Sequence, residues 1–289
     1  MTKTSAPQTV TVGVLALQGA FSEHVQLLRQ AVGELKAKRV DDDSQWTLLE
    51  VRTPDELARC NALILPGGES TTMSLVAQRS GLLEPLREFV KVQRNPTWGT
   101  CAGLILLAES ANRTKKGGQE LIGGLDVRVS RNHFGRQTES FQANLDLPFL
   151  AHTQGVAAPT SERPFPSVFI RAPVVEKLLP HVEGIQEEEA QDVDGTIVAP
   201  SKVPQGDVAR QEFEASVEVM ARLPGRAKAL SDGTTTAKDE GEEGDIIAVR
   251  QGNVFGTSFH PELTGDARIH VWWLEQVLEA LRRQHAASA

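Results

Sequence analysis

The sequence predicts an α/β fold, a three-layer sandwich with a mostly parallel central sheet, and three observations carry that expectation. Short apolar runs rich in β-branched residues alternate with stretches of helical spacing through the first 110 residues. Gly and Pro punctuate the ends of the strand-like runs. Glycine turns fall where strands give way to helices, the place where open parallel sheets keep their functional groups.

VTVGVLAL (10–17) reads as a strand ending at Gln18-Gly19, and AFSEHVQLLRQAVGEL then sets Phe21, Val25, Leu28 and Val32 at helical spacing. WTLLEVR (46–52) is the second strand, Pro54 to Arg59 a short helical turn, and ALILP (62–66) a third strand stopping at Gly67-Gly68. Helices are expected from about Thr71 and over Leu82 to Val92. PTWGT brings in a fourth strand, with a helix over Ala102 to Glu109. After residue 120 the segments GGLDVRVSRN, SVFIRAPVV, GTIVAP, DIIAVRQGN and VFGTSF read as short strands, and ARIHVWWLEQVLEALRRQ as a closing amphipathic helix. The expected organisation is a single domain over 10–283 between tails at 1–9 and 284–289. Surface insertions, expected to be irregular, cover 139–163 and 183–245.

With 289 residues and 40% apolar content the chain can bury a sizeable core. Its apolar runs are too short to span a bilayer, and MTKTSAPQ lacks the apolar region of a signal peptide, so a cytoplasmic location is expected. Two cysteines make no disulfide framework. The net charge of −8 speaks against a nucleic-acid partner. The excess is local: 183–245 holds 16 acidic and 6 basic residues.

Three pieces carry chemistry. Gly99-Thr100-Cys101-Ala102-Gly103 is G-x-C-x-G at a strand-to-helix junction. A nucleophile on so tight a turn needs small neighbours, and a helix N-terminus suits a negative charge. A buried thiol on a chance glycine pattern reads equally well from this stretch alone. In GTSFHPEL, His260 and Glu262 are two apart in extended chain, so the carboxylate can orient the imidazole while the other ring nitrogen faces a nucleophile. In LILPGGEST, a Gly-Gly turn opening a helix offers free backbone N–H groups for an oxyanion. His133, Cys60 and the pair Trp272-Trp273 read as structural, one tryptophan on the sheet and the other at its margin.

In this order the three pieces resemble the class I, or triad, glutamine amidotransferases, a family with a flavodoxin-like sheet. GVLALQGAFSEH, LPGGEST, WGTCAGLILLA, SRNHFGRQTESF, FIRAP and FGTSFHPELTGD together resemble the glutaminase subunits of pyridoxal 5′-phosphate synthase. The resemblance implies that Cys101 attacks the side-chain amide of L-glutamine, that His260 protonates the departing ammonia and that Glu262 orients His260. The backbone N–H groups of Gly68 and Ala102 would hold the oxyanion, and no metal or organic cofactor is called for. Substrate contacts carried over by motif are Gly68, Glu69, Ser70, Arg131, Ile170 and Arg171. Glu69 also reads as a helix-start residue, and the two arginines as surface ion-pair residues. Gln18 and His24 would meet the partner and order the oxyanion loop. That partner, by the same resemblance, is a TIM-barrel synthase subunit that receives the ammonia, without which the glutaminase is nearly idle. Other readings are a different triad amidotransferase, a γ-glutamyl hydrolase, or a non-catalytic scaffold; a scaffold would have no need to keep Cys101, His260 and Glu262 together.

Overall fold

The structure, a computed structural model, describes residues 9–38, 40, 44–112, 119–131, 140–151, 163–191, 195–223 and 244–288. The chain opens with β1 (Thr9–Leu15), α1 (Phe21–Ala37), β2 (Gln45–Val51), α2 (Pro54–Leu57) and β3 (Ala62–Leu65). Next come α3 (Ser70–Arg79), α4 (Leu83–Arg87), β4 (Thr97–Thr100), α5 (Ala102–Leu107), β5 (Ala108–Asn112) and β6 (Leu125–Ser130). They are followed by β7 (Ser140–Leu145), β8 (Phe165–Ile170), β9 (Val174–Leu178), α6 (Glu187–Gln191), β10 (Thr196–Val198) and α7 (Asp207–Glu214). The last elements are β11 (Glu218–Leu223), β12 (Asp245–Gln251), β13 (Val254–Thr257) and α8 (Arg268–Ser288).

One sheet runs in the order β10-β5-β6-β9-β12-β13-β4-β3-β1-β2, with β11 added against β12. From β13 through β4, β3 and β1 to β2 every pairing is parallel. In the middle of this row β3 reads as an unbroken apolar run, ALIL, because both of its faces are covered. On one face α1 and α8 pack with the β7–β8 hairpin around Leu28, Leu35, Trp98 and Val277. On the other, α3, α4 and α5 close over Leu65, Met73, Leu86 and Leu104. Each such fully buried aliphatic side chain contributes roughly 1.5–3 kcal/mol. Register makes the strand ends level: Gly99 lies opposite both Leu65 and Gly256, and Thr100 opposite Thr257. The turns that follow β1, β3, β4 and β13 therefore meet at one sheet edge. Among the described residues no helix is long and apolar enough to cross a membrane.

Three expectations need correction. The helix after Cys101 ends at Leu107, and Ala108–Asn112 is strand. There Glu109 is buried, bonded to Lys91 and to the backbone N–H of Gly124, partners that an extended chain presents to it. The acidic stretch is not irregular throughout, since α6, β10, α7 and β11 all lie within it. Its charges find partners on the sheet. The Glu189 carboxylate accepts from Ser110 at 3.0 Å, Arg128 at 2.6 Å and Lys177 at 3.0 Å. Buried Arg94 donates to the Glu212 carbonyl. Nor is 139–163 irregular throughout, since it holds β7, paired with β8; residues 152–162 and 224–243 lie outside the described residues, as does His133. Finally, both tryptophans are buried, Trp272 against Phe149 and Phe255, and Trp273 against Trp98. Phe149, next to the hairpin, covers Trp272, so neither ring lies at the margin.

Candidate active site

Cys101 follows β4 directly and forms the N-cap of α5, at φ 48° and ψ −101°. A non-glycine residue with positive φ is strained and persists where its surroundings fix it. Here the Cys101 N–H donates to the Thr257 carbonyl at 2.8 Å and the Cys101 carbonyl accepts from Ile105. The flanking glycines serve close approach. A Cβ on Gly103 would run into the Leu65 carbonyl, and one on Gly99 would lie 2.5 Å from the Gly103 carbonyl carbon. The turn thus holds the sulfur at the strand end.

His260 comes off the end of β13, its N–H held by the Val168 carbonyl of β8 at 2.8 Å. Its Nδ1 is 2.8 Å from Glu262 Oε1, which leaves the other ring nitrogen for the hydrogen bond with Cys101. Both side chains are buried. Burial pulls the imidazole pKa down, yet the hydrogen bonds to the Cys101 sulfur and Glu262, with their negative charges, outweigh it and raise it to about 10. The expected nucleophile, base and orienter therefore stand together.

The Gly67-Gly68 turn lies beside this pair. A Cβ on Gly67 would enter the His260 ring, so only glycine lets the backbone pass there. The loop is tied from the first strand: Gly67 accepts from the Ala20 N–H at 3.0 Å, and Gln18 Oε1 accepts from the Glu69 N–H at 2.7 Å. Glu69 caps α3, accepting from the Thr71 and Thr72 N–H groups and the Thr72 hydroxyl. Burial opposes ionisation there, but those donors hold its carboxyl below the usual value.

These elements enclose a cavity of about 620 Å³. Cys101, His260, Gly68, Glu69, Ser70, Arg131, Ile170 and Arg171 all line it, as do Gln18, Ile105 and Leu263. Arg131 is buried. Its Nη1 donates to Gln119 Oε1, while Nε and Nη2 have no partner among the described residues. Desolvation lowers its pKa to about 10, with the Glu69 charge opposing, so it remains a cation. Arg171 sits at φ 45° on the exposed rim after β8.

His24 differs from expectation. It is fully buried under α8, so it presents nothing to a partner, and it lies against Glu262, not against the oxyanion loop. Gln18 alone of the pair reaches that loop. Sequence reasoning also missed His270, which packs on His24 from α8. The signal was there: His270 shares the spacing of Trp273, Val277 and Leu281, a histidine on an apolar stripe.

Cys60 is the contrast. It is buried, donates to the Glu56 carbonyl at 3.3 Å, and burial pushes its thiol up to about 12.

Residues 14–215 and 207–279 match the SNO glutamine amidotransferase family. The chain belongs to that family. Among relatives of this SNO amidotransferase, a probable pyridoxal 5′-phosphate synthase subunit PDX2 of Arabidopsis thaliana is 40% identical over 93% of the chain and 87% of its own length. The pyridoxal 5′-phosphate synthase subunit PdxT of Herpetosiphon aurantiacus is 36% identical, over 92% and 99%. That of Thermococcus onnurineus is 35% identical, over 92% and 98%. A crystal structure of a glutamine amidotransferase superposes with a TM-score of 0.56 at 33% identity, covering 92% of the SNO chain and 98% of the other.

Proposed function

We propose that this chain is the glutaminase subunit of a pyridoxal 5′-phosphate synthase and acts in the cytoplasm. It hydrolyses L-glutamine and passes the ammonia to a TIM-barrel synthase subunit. The observation that carries the reading is the strained Cys101 at the wall of one cavity with His260, whose Nδ1 is held by Glu262. The names of the relatives support the synthase assignment.

Cys101 Sγ attacks the side-chain amide carbon of glutamine, and the amide oxygen takes the negative charge. Backbone N–H groups of Gly68 and Ala102 bind that oxyanion. The protonated His260 gives its proton to the nitrogen as the C–N bond breaks, releasing ammonia and leaving a γ-glutamyl thioester. Neutral His260 then takes a proton from water. The hydroxide adds to the thioester carbonyl, and the sulfur departs to leave glutamate. Glu262 keeps the ring oriented through both proton transfers. Arg131 pairs with the substrate α-carboxylate, satisfying N–H groups that are otherwise unpartnered. Glu69, Ser70, Ile170 and Arg171 shape the rest of the pocket, and Gln18 fixes the oxyanion loop.

The test is glutamate release from glutamine with the chain mixed with a pyridoxal 5′-phosphate synthase barrel. Release well above that of a Cys101→Ala variant is expected; equal release by the two proteins overturns the reading.

A further inference from the structure

Behind the cysteine–histidine pair lie two histidines that this chemistry does not use. His24 of α1 and His270 of α8 are both 0% exposed, and Trp98 meets each ring edge-on. His24 Nε2 is 3.3 Å from Glu262 Oε2 and 3.2 Å from Thr100 Oγ1. His24 Nδ1 is 3.0 Å from His270 Nε2. Glu262 Oε1 is committed to His260 at 2.8 Å. Its Oε2 is buried with no hydrogen-bond partner among the described residues, and His24 is the ring that faces it.

The donor and acceptor rules fix the protons along this chain. An ionised carboxylate only accepts, so for His24 to hold Glu262 its Nε2 carries the hydrogen. His24 is neutral, because burial, then the charges of His270 and His260, hold its pKa well below the ordinary value. Its Nδ1 is then a bare lone pair, and His270 Nε2–H donates to it. His270 Nδ1 is left as a bare acceptor, in keeping with its having no partner among the described residues. The opposite tautomers would aim the His24 lone pair at the carboxylate and bury an orphan N–H on His270. Thr100 Oγ1 shares the His24 N–H, so the Glu262 contact is off-axis in the resting chain. Catalytic hydrogen bonds of this kind tighten once substrate is bound.

Resting on the triad reading above, we propose that His24 is a positioning residue for glutamine hydrolysis. Its Nε2–H holds the second carboxylate oxygen of Glu262, and so the plane of Glu262 and the His260 ring, while His270 sets the tautomer. The geometry gives His24 this task because Glu262 has one oxygen on the ring it orients and needs the other anchored to a rigid element. α1 and α8 supply that anchor. A neutral donor serves better than a cation, which would compete with His260 for the carboxylate charge.

Glutamate release in the presence of the synthase barrel tests the proposal with His24→Leu and His24→Gln beside the parent and Cys101→Ala. Leucine keeps the volume and removes the donor; the glutamine amide places an N–H near the position of Nε2. The expected result is a kcat about tenfold lower for His24→Leu with KM unchanged, and most of the loss recovered in His24→Gln. Full activity in His24→Leu, an equal kcat loss in both variants, or a change confined to KM overturns it. If His24→Leu does not fold, His24→Asn, whose amide is too short to reach Glu262, replaces it under the same criteria. A parent no more active than Cys101→Ala refutes the glutaminase reading itself, a result distinct from any pattern among the His24 variants.

Discussion

In a Cys101→Ala variant, His260 is expected to release its proton at a pH well below that of the parent chain. Burial is the largest influence on this imidazole and acts downward, so on its own it would put the pKa under 6.5; the parent value of about 10 is reached against it. The hydrogen bond to Cys101 ranks first among the raising causes, and the Cys101 charge acts in the same direction. Removing the sulfur leaves only Glu262, at 2.8 Å, to oppose desolvation. The fall should therefore exceed one pH unit, or about 1.4 kcal/mol of coupling between sulfur and ring. A pH titration of the His260 ring signals by NMR measures it, with a His260→Asn variant identifying the resonances among the seven histidines. An unchanged midpoint near 10 in Cys101→Ala would refute the reasoning, since Glu262 alone would then carry the cation. A midpoint between the two values gives the pair coupling directly.

Cys101→Ser should fold and bind the synthase barrel as the parent does yet release no glutamate, checked by co-purification and the release assay. Arg131→Met should raise KM for glutamine roughly 10–100-fold with a small effect on kcat, because a lost hydrogen bond to a charged group is worth about 1.5–3 kcal/mol; an unchanged KM places the α-carboxylate elsewhere. Lys91→Met should lower stability by about 3–5 kcal/mol in urea unfolding. It strips Glu109 of the ammonium 2.8 Å from Oε1 and leaves a carboxylate whose pKa burial already raises. Adding Glu109→Gln to that variant should restore part of the loss.

What could be read from the sequence was what is local in the chain. The cysteine elbow is legible because a tight turn excludes side chains at Gly99 and Gly103, and steric exclusion leaves its mark within five residues. His260 and Glu262 are legible from their spacing, but the geometry behind it differs from the extended chain expected: Pro261–Leu263 forms a 3-10 turn with His260 at its N-cap, and that turn brings the carboxylate to Nδ1. The strand β3 is legible because burial on both faces leaves it wholly apolar. His24 was found but misplaced: its role depends on His270, 246 residues away, reached only when α1 packs on α8. The order within the acidic stretch was hidden for a similar reason. Composition counts the charge of Glu189 against folding, while Arg128, Lys177 and Ser110 wait for it on β6, β9 and β5. The early end of α5 was hidden because the residues after it pair with β6 and β10, strands that come later in the chain.

Three histidines within this one site share nearly the same burial and differ in charge, and the difference assigns their chemistry. Desolvation is the largest influence on His24, His260 and His270 alike. It wins at His270, which falls to about 3 with only Asp266 opposing, and at His24, where His260 and His270 add their own repulsion. It loses only at His260, which alone touches both the sulfur and the carboxylate. The site therefore holds its one mobile proton on the ring nitrogen that faces Cys101 and, beyond it, the place where the amide nitrogen must leave. The neutral rings behind it can donate or accept a hydrogen bond, but taking up a second proton there would require overcoming burial and the neighbouring cation together. Environments that push like groups apart in this way separate the acid from its supports, which is why an imidazole that releases ammonia and one that holds a carboxylate in place can lie a single glutamate apart.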